Sequence, residues 1–270
     1  MKSLAAVAIY ILTLTTPAAI AGVILEIANK DMVSGGLDAT KIHADSGRIR
    51  MDPATSEGAP ESSMIFRDNE FLILNHSDKS YTVIDDALLA SVSSQMSTAM
   101  KQMQELLKNM PPEQREMAGR MMKGRMKAFT QEEAPPAPAF KVKKTGSGKW
   151  RTYKCTQYIV SDDTQKLQEI CAASRDQIDG IDEAMVSFKA MGAFMKKLAA
   201  NLPSAFASGL ESNPMQMMDQ IDGFPVHTLQ YDNGTVSYET SLESAIEQTV
   251  EDTFFPPPKD YKRQEMLGPQ

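Results

Sequence analysis

Ser63-Met64-Ile65-Phe66-Arg67, then Asp68-Asn69-Glu70, then Phe71-Leu72-Ile73-Leu74-Asn75, is the stretch on which the fold turns. Two short apolar runs flank a polar break too short to hold a helix. They read as two strands joined by a tight turn. The pattern spreads outward in both directions. Residues 39–44 and 48–52 flank Asp45-Ser46-Gly47, residues 23–28 alternate in strand fashion, and residues 81–84 follow Ser77-Asp78-Lys79. Short strands at close spacing with polar turns build an antiparallel meander rather than βαβ units.

After this meander the period changes. Residues 86–109 read as a helix capped by Asp85 or Asp86, with Met96, Met100, Met103, Leu107 and Met110 on one face. Pro111-Pro112 ends it. A second helix to about Phe129, carrying Met122, Met126 and Phe129, completes an expected helical pair over 86–129. Pro135-Pro136-Ala137-Pro138 marks an extended connector over 131–139. Residues 149–160 and 165–172 read as a hairpin, and 176–200 as a helix with Phe188, Met191, Met195, Leu198 and Leu202 in register. Residues 224–230 and 235–240 flank Asp232-Asn233-Gly234, a strong turn signal, and 242–249 fit either strand or helix. The expected class is α+β: a curved antiparallel half-barrel with helices over one face. A single domain is expected over 22–262, with a flexible tail at 263–270.

The start of the chain carries Lys2, an apolar run over 4–14, Pro17 and then Ala19-Ile20-Ala21. These are the parts of a secretion signal cut after Ala21, and the run is too short to span a bilayer. Its loss would move the net charge from −7 to −8. An acidic chain is poorly suited to nucleic acid, which needs clustered Lys and Arg. The expected place is the periplasm, with no membrane-integral segment after cleavage. In such a compartment Cys155 and Cys171 read as a disulfide. Their midpoint, residue 163, falls in the polar turn of the 149–172 hairpin. Their wide spacing differs from the close Cys-x-x-Cys of redox pairs.

No catalytic constellation stands out. His43, His76 and His227 are not paired at metal-binding spacing, and neither His-Glu-x-x-His nor Gly-x-Ser-x-Gly occurs. Gly146-Ser147-Gly148-Lys149 lacks the first glycine of a phosphate loop, position 143 being Lys, and is followed by Trp150. It reads as a hairpin turn. No catalytic residue, metal site or cofactor is expected. The nineteen methionines are the outlying feature. Met at helical spacing serves as core packing, as an adaptable apolar surface, or as a thioether site for Cu(I). An apolar site would use Met96, Met100, Met103, Met122, Met126, Phe129, Phe188, Met191 and Met195. A copper site would use Met100 with Met103, Met121 and Met122 with Met126, or Met215 with Met217 and Met218, though no His or Cys lies within these clusters.

Several short stretches run in order through the chain: Ser46-Gly47-Arg48-Ile49-Arg50-Met51-Asp52, Ser63-Met64-Ile65-Phe66-Arg67, Lys79-Ser80-Tyr81 and Lys154-Cys155-Thr156-Gln157-Tyr158, followed by Asp222-Gly223-Phe224-Pro225-Val226 and by Phe254, Pro258 and Tyr261. Together they resemble a family of uncharacterised exported bacterial proteins, domain of unknown function 4412. That family is similar to the periplasmic lipoprotein carriers, whose half-open antiparallel barrel is closed by helices. The resemblance implies an apolar cavity and names no substrate. This chain departs from simpler members in its long Met-rich insert. The expected function is binding of an apolar small molecule (a lipid or acyl chain) or a hydrophobic protein segment, without catalysis. The alternatives are a methionine-based Cu(I) binder and a scaffold without small ligand.

Overall fold

The computed structural model describes residues 22–54, 60–109, 111, 140–201 and 220–265. Among them lie β1 (Val23–Asp31), β2 (Leu37–Asp45), β3 (Arg48–Ala54), β4 (Ser62–Arg67), β5 (Glu70–Asn75), β6 (Ser80–Ile84) and α1 (Asp86–Asn109). Then come β7 (Lys141–Trp150), β8 (Tyr153–Ser161), β9 (Lys166–Ala173), α2 (Ile181–Asn201), β10 (Phe224–Asp232), β11 (Thr235–Glu247) and β12 (Lys262–Arg263). All twelve strands join one sheet in the order β12-β6-β5-β4-β3-β2-β1-β11-β10-β9-β8-β7. Every pairing is antiparallel except the short parallel contact of β12 with β6. The α+β class and the open, curved sheet expected from the sequence are what the structure has.

Local chemistry sets the turns. Ser46-Gly47, Asp68-Asn69 and Asn233-Gly234 hold both central residues at positive φ, the conformation of two-residue turns that match strand twist. Register shifts occur at Glu26/Ile27, Lys144/Gly146, Val160/Ser161, Pro225/His227 and Gln230/Tyr231. Such bulges increase local twist, and they curve this half of the sheet.

The β1–β6 half is apolar on both faces. On one face Val23, Leu25, Ile42, Ala44, Ile49, Phe66 and Phe71 pack against Ile181, Ala184, Met191 and Phe194 of α2. On the other, Ile65, Leu72, Leu74 and Val83 pack under Val250, Phe255 and Tyr261 of the C-terminal segment. Helices over one face therefore describe half of the covering. Pro256-Pro257-Pro258 belongs to a strap whose neighbours Phe255 and Tyr261 seal the second face. A third cluster joins Tyr158, Val160, Ile170 and Ala172 to Ile221.

Several local expectations shift. Gly146–Lys149 lies inside β7, not in a turn; the chain reverses at Arg151-Thr152, with Arg151 at positive φ. The glycines tolerate strand geometry, and only a residue in the left-handed region reverses the chain here. Residues 242–247 are strand. The helix expected from 176 begins at Ile181, after a 3-10 turn at Arg175–Gln177. Asp85, not Asp86, caps α1, its Oδ1 accepting the Leu88 N–H at 2.8 Å. The second helix of the expected pair and the Pro-rich connector lie outside the described residues, as does the expected signal.

Candidate functional site

Strand alternation gives the sheet an apolar face, and α2 packs on it. The first turns of α2 sit on the β2–β3 turn, where the Ser46 N–H donates to Glu183 and the Gly47 N–H to Ser187 Oγ at 3.1 Å. Further along, the Phe194 ring meets those of Phe66 and Phe71 at 5.9 and 5.5 Å, beside the β4–β5 turn. Near its end Lys197 pairs with Asp86 at the head of α1, 2.6 Å away. The helix thus covers one end of the sheet face. Two residues further along the strands, Met51, Met64, Ile73 and Thr82 form a cross-strand row on the same face. Met64 and Ile73 in this row are each 37% exposed.

The expected apolar residues divide. Met191 is buried beside Phe194, and Phe188 and Met195 pack on the same core cluster. Phe188 also stacks with Phe224, ring centroids 6.4 Å apart. Met103 is half-buried on α1, while Met96 and Met100 take their places along that helix. Met122, Met126, Phe129 and the copper candidates near 121 and 215 lie outside the described residues. The cross-strand row was not singled out from sequence. Its signal was present in the unbroken run Phe71-Leu72-Ile73-Leu74, which places apolar side chains on both faces.

Cys155 and Cys171 are bonded, with Cα atoms 5.3 Å apart, and both are buried. They join β8 to β9 diagonally: Cys155 pairs with Ala173 in the ladder and Cys171 with Gln157. Beside them the Arg151 turn folds over the sheet. Trp150 stacks on His227 with centroids 3.6 Å apart, and the Arg151 guanidinium forks onto the Glu243 carboxylate, one arm at 2.8 Å. That pairing is the main cause of the lowered Glu243 pKa. His227 Nε2 meets Glu239 at 2.9 Å. This arrangement pins the β7–β8 hairpin to β10 and β11.

The most reaction-like grouping is on the strap side. Ser63 Oγ donates to Asp52 and lies 2.7 Å from His76 Nε2, while His76 Nδ1 lies 2.6 Å from the Tyr261 hydroxyl. Arg50 Nε bonds both Asp52 oxygens at 2.9 Å. Ser63 is buried, and its hydroxyl is already engaged on both sides, so it is not presented to a substrate. The grouping fastens the strap. Among the described residues no cluster of three His, Cys, Asp or Glu side chains is arranged to hold a metal ion, and no helix is long and apolar enough to cross a membrane.

Many of the short stretches that carried the family resemblance meet around this strap. Arg48 bonds Asp45 and Asp252, each at 2.7 Å, and lies over the Phe255 ring; Arg50 reaches the Phe254 carbonyl at 3.2 Å; Asp52, Ser63 and Tyr261 belong to the chain above.

No curated protein matches the chain by sequence. Among solved structures, an uncharacterized conserved protein from Thermus thermophilus is similar at 6% identity and a TM-score of 0.45, covering 90% of each chain. MucB of Pseudomonas aeruginosa, solved with MucA, is similar at 8% identity and a TM-score of 0.40, over 89% of this chain and 56% of that one. A LolA superfamily protein from Nitrosomonas europaea is similar at 4% identity and a TM-score of 0.32, over 87% and 90%. The profile of the family described as domain of unknown function (DUF4412) matches residues 88–261, more than half of the chain, and the chain belongs to that family.

Proposed function

We propose that this protein is exported, loses residues 1–21, and acts in the periplasm as a non-enzymatic binder of an apolar ligand. The ligand is a lipid or acyl chain, or a hydrophobic segment of a partner protein, taken on the α2 side of the sheet. The observation that carries this reading is the row Met51, Met64 and Ile73, left partly open beside the buried Phe66–Phe71–Phe194 trio. Unbranched thioether side chains adapt to varied apolar shapes at little cost. Met195 of α2 and the Met96, Met100, Met103 stripe of α1 would furnish the helical side, joined by Met122, Met126 and Phe129. The buried disulfide suits an oxidising compartment.

Native mass spectrometry of protein released gently from the periplasm, followed by organic extraction, tests this. A co-purified lipid or other apolar molecule is the expected result. A bare protein that also fails to take up a fluorescent fatty acid overturns the ligand reading. Bound copper in place of an organic molecule transfers the Met residues to a metal role.

A further inference from the structure

The open row of the sheet is one side chain wide. Met51, Met64 and Ile73 stand side by side on β3, β4 and β5, Met51 directly opposite Met64 and Met64 directly opposite Ile73. Two residues along the same strands in one direction lie Ile49, Phe66 and Phe71, all buried. Two residues along in the other direction, on the same face, Ser62 pairs with Asn75 and Asn75 with Ser80. Among the described residues, the apolar strip left open between the covered aromatics and this polar rim is therefore the Met64 row. Met64 stands at its centre.

The two sulfurs of this row are open to chemistry that the rest of the core is not. Cys155 and Cys171 are bonded to each other, so no free thiol competes for an oxidant. Methionine is oxidised to its sulfoxide where it is accessible, which turns a flexible apolar side chain into a polar one. Access sorts the methionines: Met191, beside Phe194, is 8% exposed, Met64 is 37% exposed, and Met32, 43% exposed, lies in the β1–β2 turn away from the row. Cross-strand neighbours have Cβ atoms about 4.5–5.5 Å apart, so a sulfoxide on Met64 or on Met51 borders the other.

We infer that Met64, with Met51 beside it, is an oxidation site at which a peroxide switches off binding of the apolar ligand. This regulation rests on the apolar site proposed above. The sulfur lone pair attacks one peroxide oxygen, the O–O bond breaks and an S–O bond forms. The leaving hydroxide takes the proton of the transferred oxygen and departs as water; sulfur has given up two electrons and the peroxide has taken them. The sulfoxide oxygen accepts hydrogen bonds from water, and that water must be stripped off before an apolar chain can lie against it. Because the row is one residue wide, the ligand has no parallel apolar strip to shift to. Oxidation moves the polar rim inward to the covered Phe66–Phe71 row. Two thiols of a sulfoxide reductase reverse the change, becoming a disulfide as the oxygen leaves as water.

The test treats the purified protein with hydrogen peroxide, maps sulfoxides by peptide mass spectrometry, and titrates a fluorescent fatty acid before and after. Each protein is read by its own ratio of the two affinities. In the wild type Met64 should gain oxygen before Met191 does, and affinity should fall by about tenfold or more with the thermal midpoint kept. A sulfoxide reductase supplied with thiol should restore it. The double variant Met51→Leu, Met64→Leu should bring the ratio close to one, whereas Met32→Leu should keep the wild-type ratio. Affinity that survives full oxidation of Met64, or that falls as far in the double variant as in the wild type, overturns the switch and leaves the ligand reading standing. So does a loss of affinity that comes with a lowered thermal midpoint. A protein that takes up no fatty acid before oxidation overturns both.

Discussion

The ring of His43 lies 4.8 Å from that of Phe254, tilted by 32°, so a histidine of β2 is roofed by the C-terminal strap. His43 is only 6% exposed. Burial is the main reason its pKa lies below the ordinary 6.5; nearby Asp52 pulls it up, and Arg50 and Lys41 push it down. The folded protein therefore binds fewer protons than the unfolded chain between that lowered value and 6.5. The stability His43 allows is complete above 6.5 and is lost as pH falls toward the lowered value. Glu169 and Glu243, both lowered from 4.5, act in a separate and more acid window. The thermal midpoint should fall between about pH 7 and pH 5. His43→Phe should flatten that slope, and an unchanged slope would assign it to another group.

Gly223 gives a second, purely steric prediction. Its φ is +109°, and a Cβ placed there would lie 2.2 Å from the carbonyl oxygen of Ala173. That oxygen is backbone of β9 and cannot swing aside. Gly223→Ala should cost at least about 2 kcal/mol, combining strain with displacement of β10 from β9. Gly234→Ala, at φ +79° with nothing within 4 Å, should cost about 1 kcal/mol. Urea denaturation of both variants checks the order.

The strand meander was legible because its turns declare themselves. Asp68-Asn69 and Ser46-Gly47 tolerate the left-handed region, and the runs beside them leave no room for helix. The strap was not legible. Phe254, Phe255 and Tyr261 are scattered among prolines with no period, and nothing local says which surface they meet. What recruits them is distant: Arg48 and Arg50 point outward from β3 because Ile49 and Met51 point inward. Gly146 misled for a related reason, since glycine marks a place where a turn is permitted, and here the turn was taken by Arg151. The candidate site was half legible. Helical spacing puts Met191 and Met195 on one face of α2, which packs on the core cluster, but the sheet row Met51–Met64–Ile73 depends on register across three strands, which no single segment encodes.

The Cys155–Cys171 bond closes a short loop between adjacent strands. Replacing both residues by alanine should lower stability by about 3 kcal/mol, less to the extent that the β8–β9 hairpin persists in the unfolded chain. Because both sulfurs are buried under the core cluster, reductant alone should act slowly on the native protein and quickly on the partly denatured one. A rapid reduction under native conditions, followed by change in ligand binding, would contradict a structural role.

Substitutions on the open row separate packing from binding. Phe194→Ala empties the centre of the aromatic trio and should cost about 3–5 kcal/mol of stability whatever the protein binds. Met64→Asp and Ile73→Asp act on side chains already partly in water, so the fold should tolerate each. A carboxylate placed against an apolar ligand must be desolvated on binding, and a penalty of only about 1.4 kcal/mol weakens affinity tenfold. Titration of a fluorescent fatty acid should show at least that loss for either variant. Met51→Leu and Met64→Leu preserve volume and apolarity but remove the sulfur. They should leave the titration nearly unchanged, since shape and burial, rather than thioether coordination, hold an acyl chain. If the leucine variants instead lose bound Cu(I) and the aspartates leave the titration intact, the row is a metal surface and the apolar ligand reading falls.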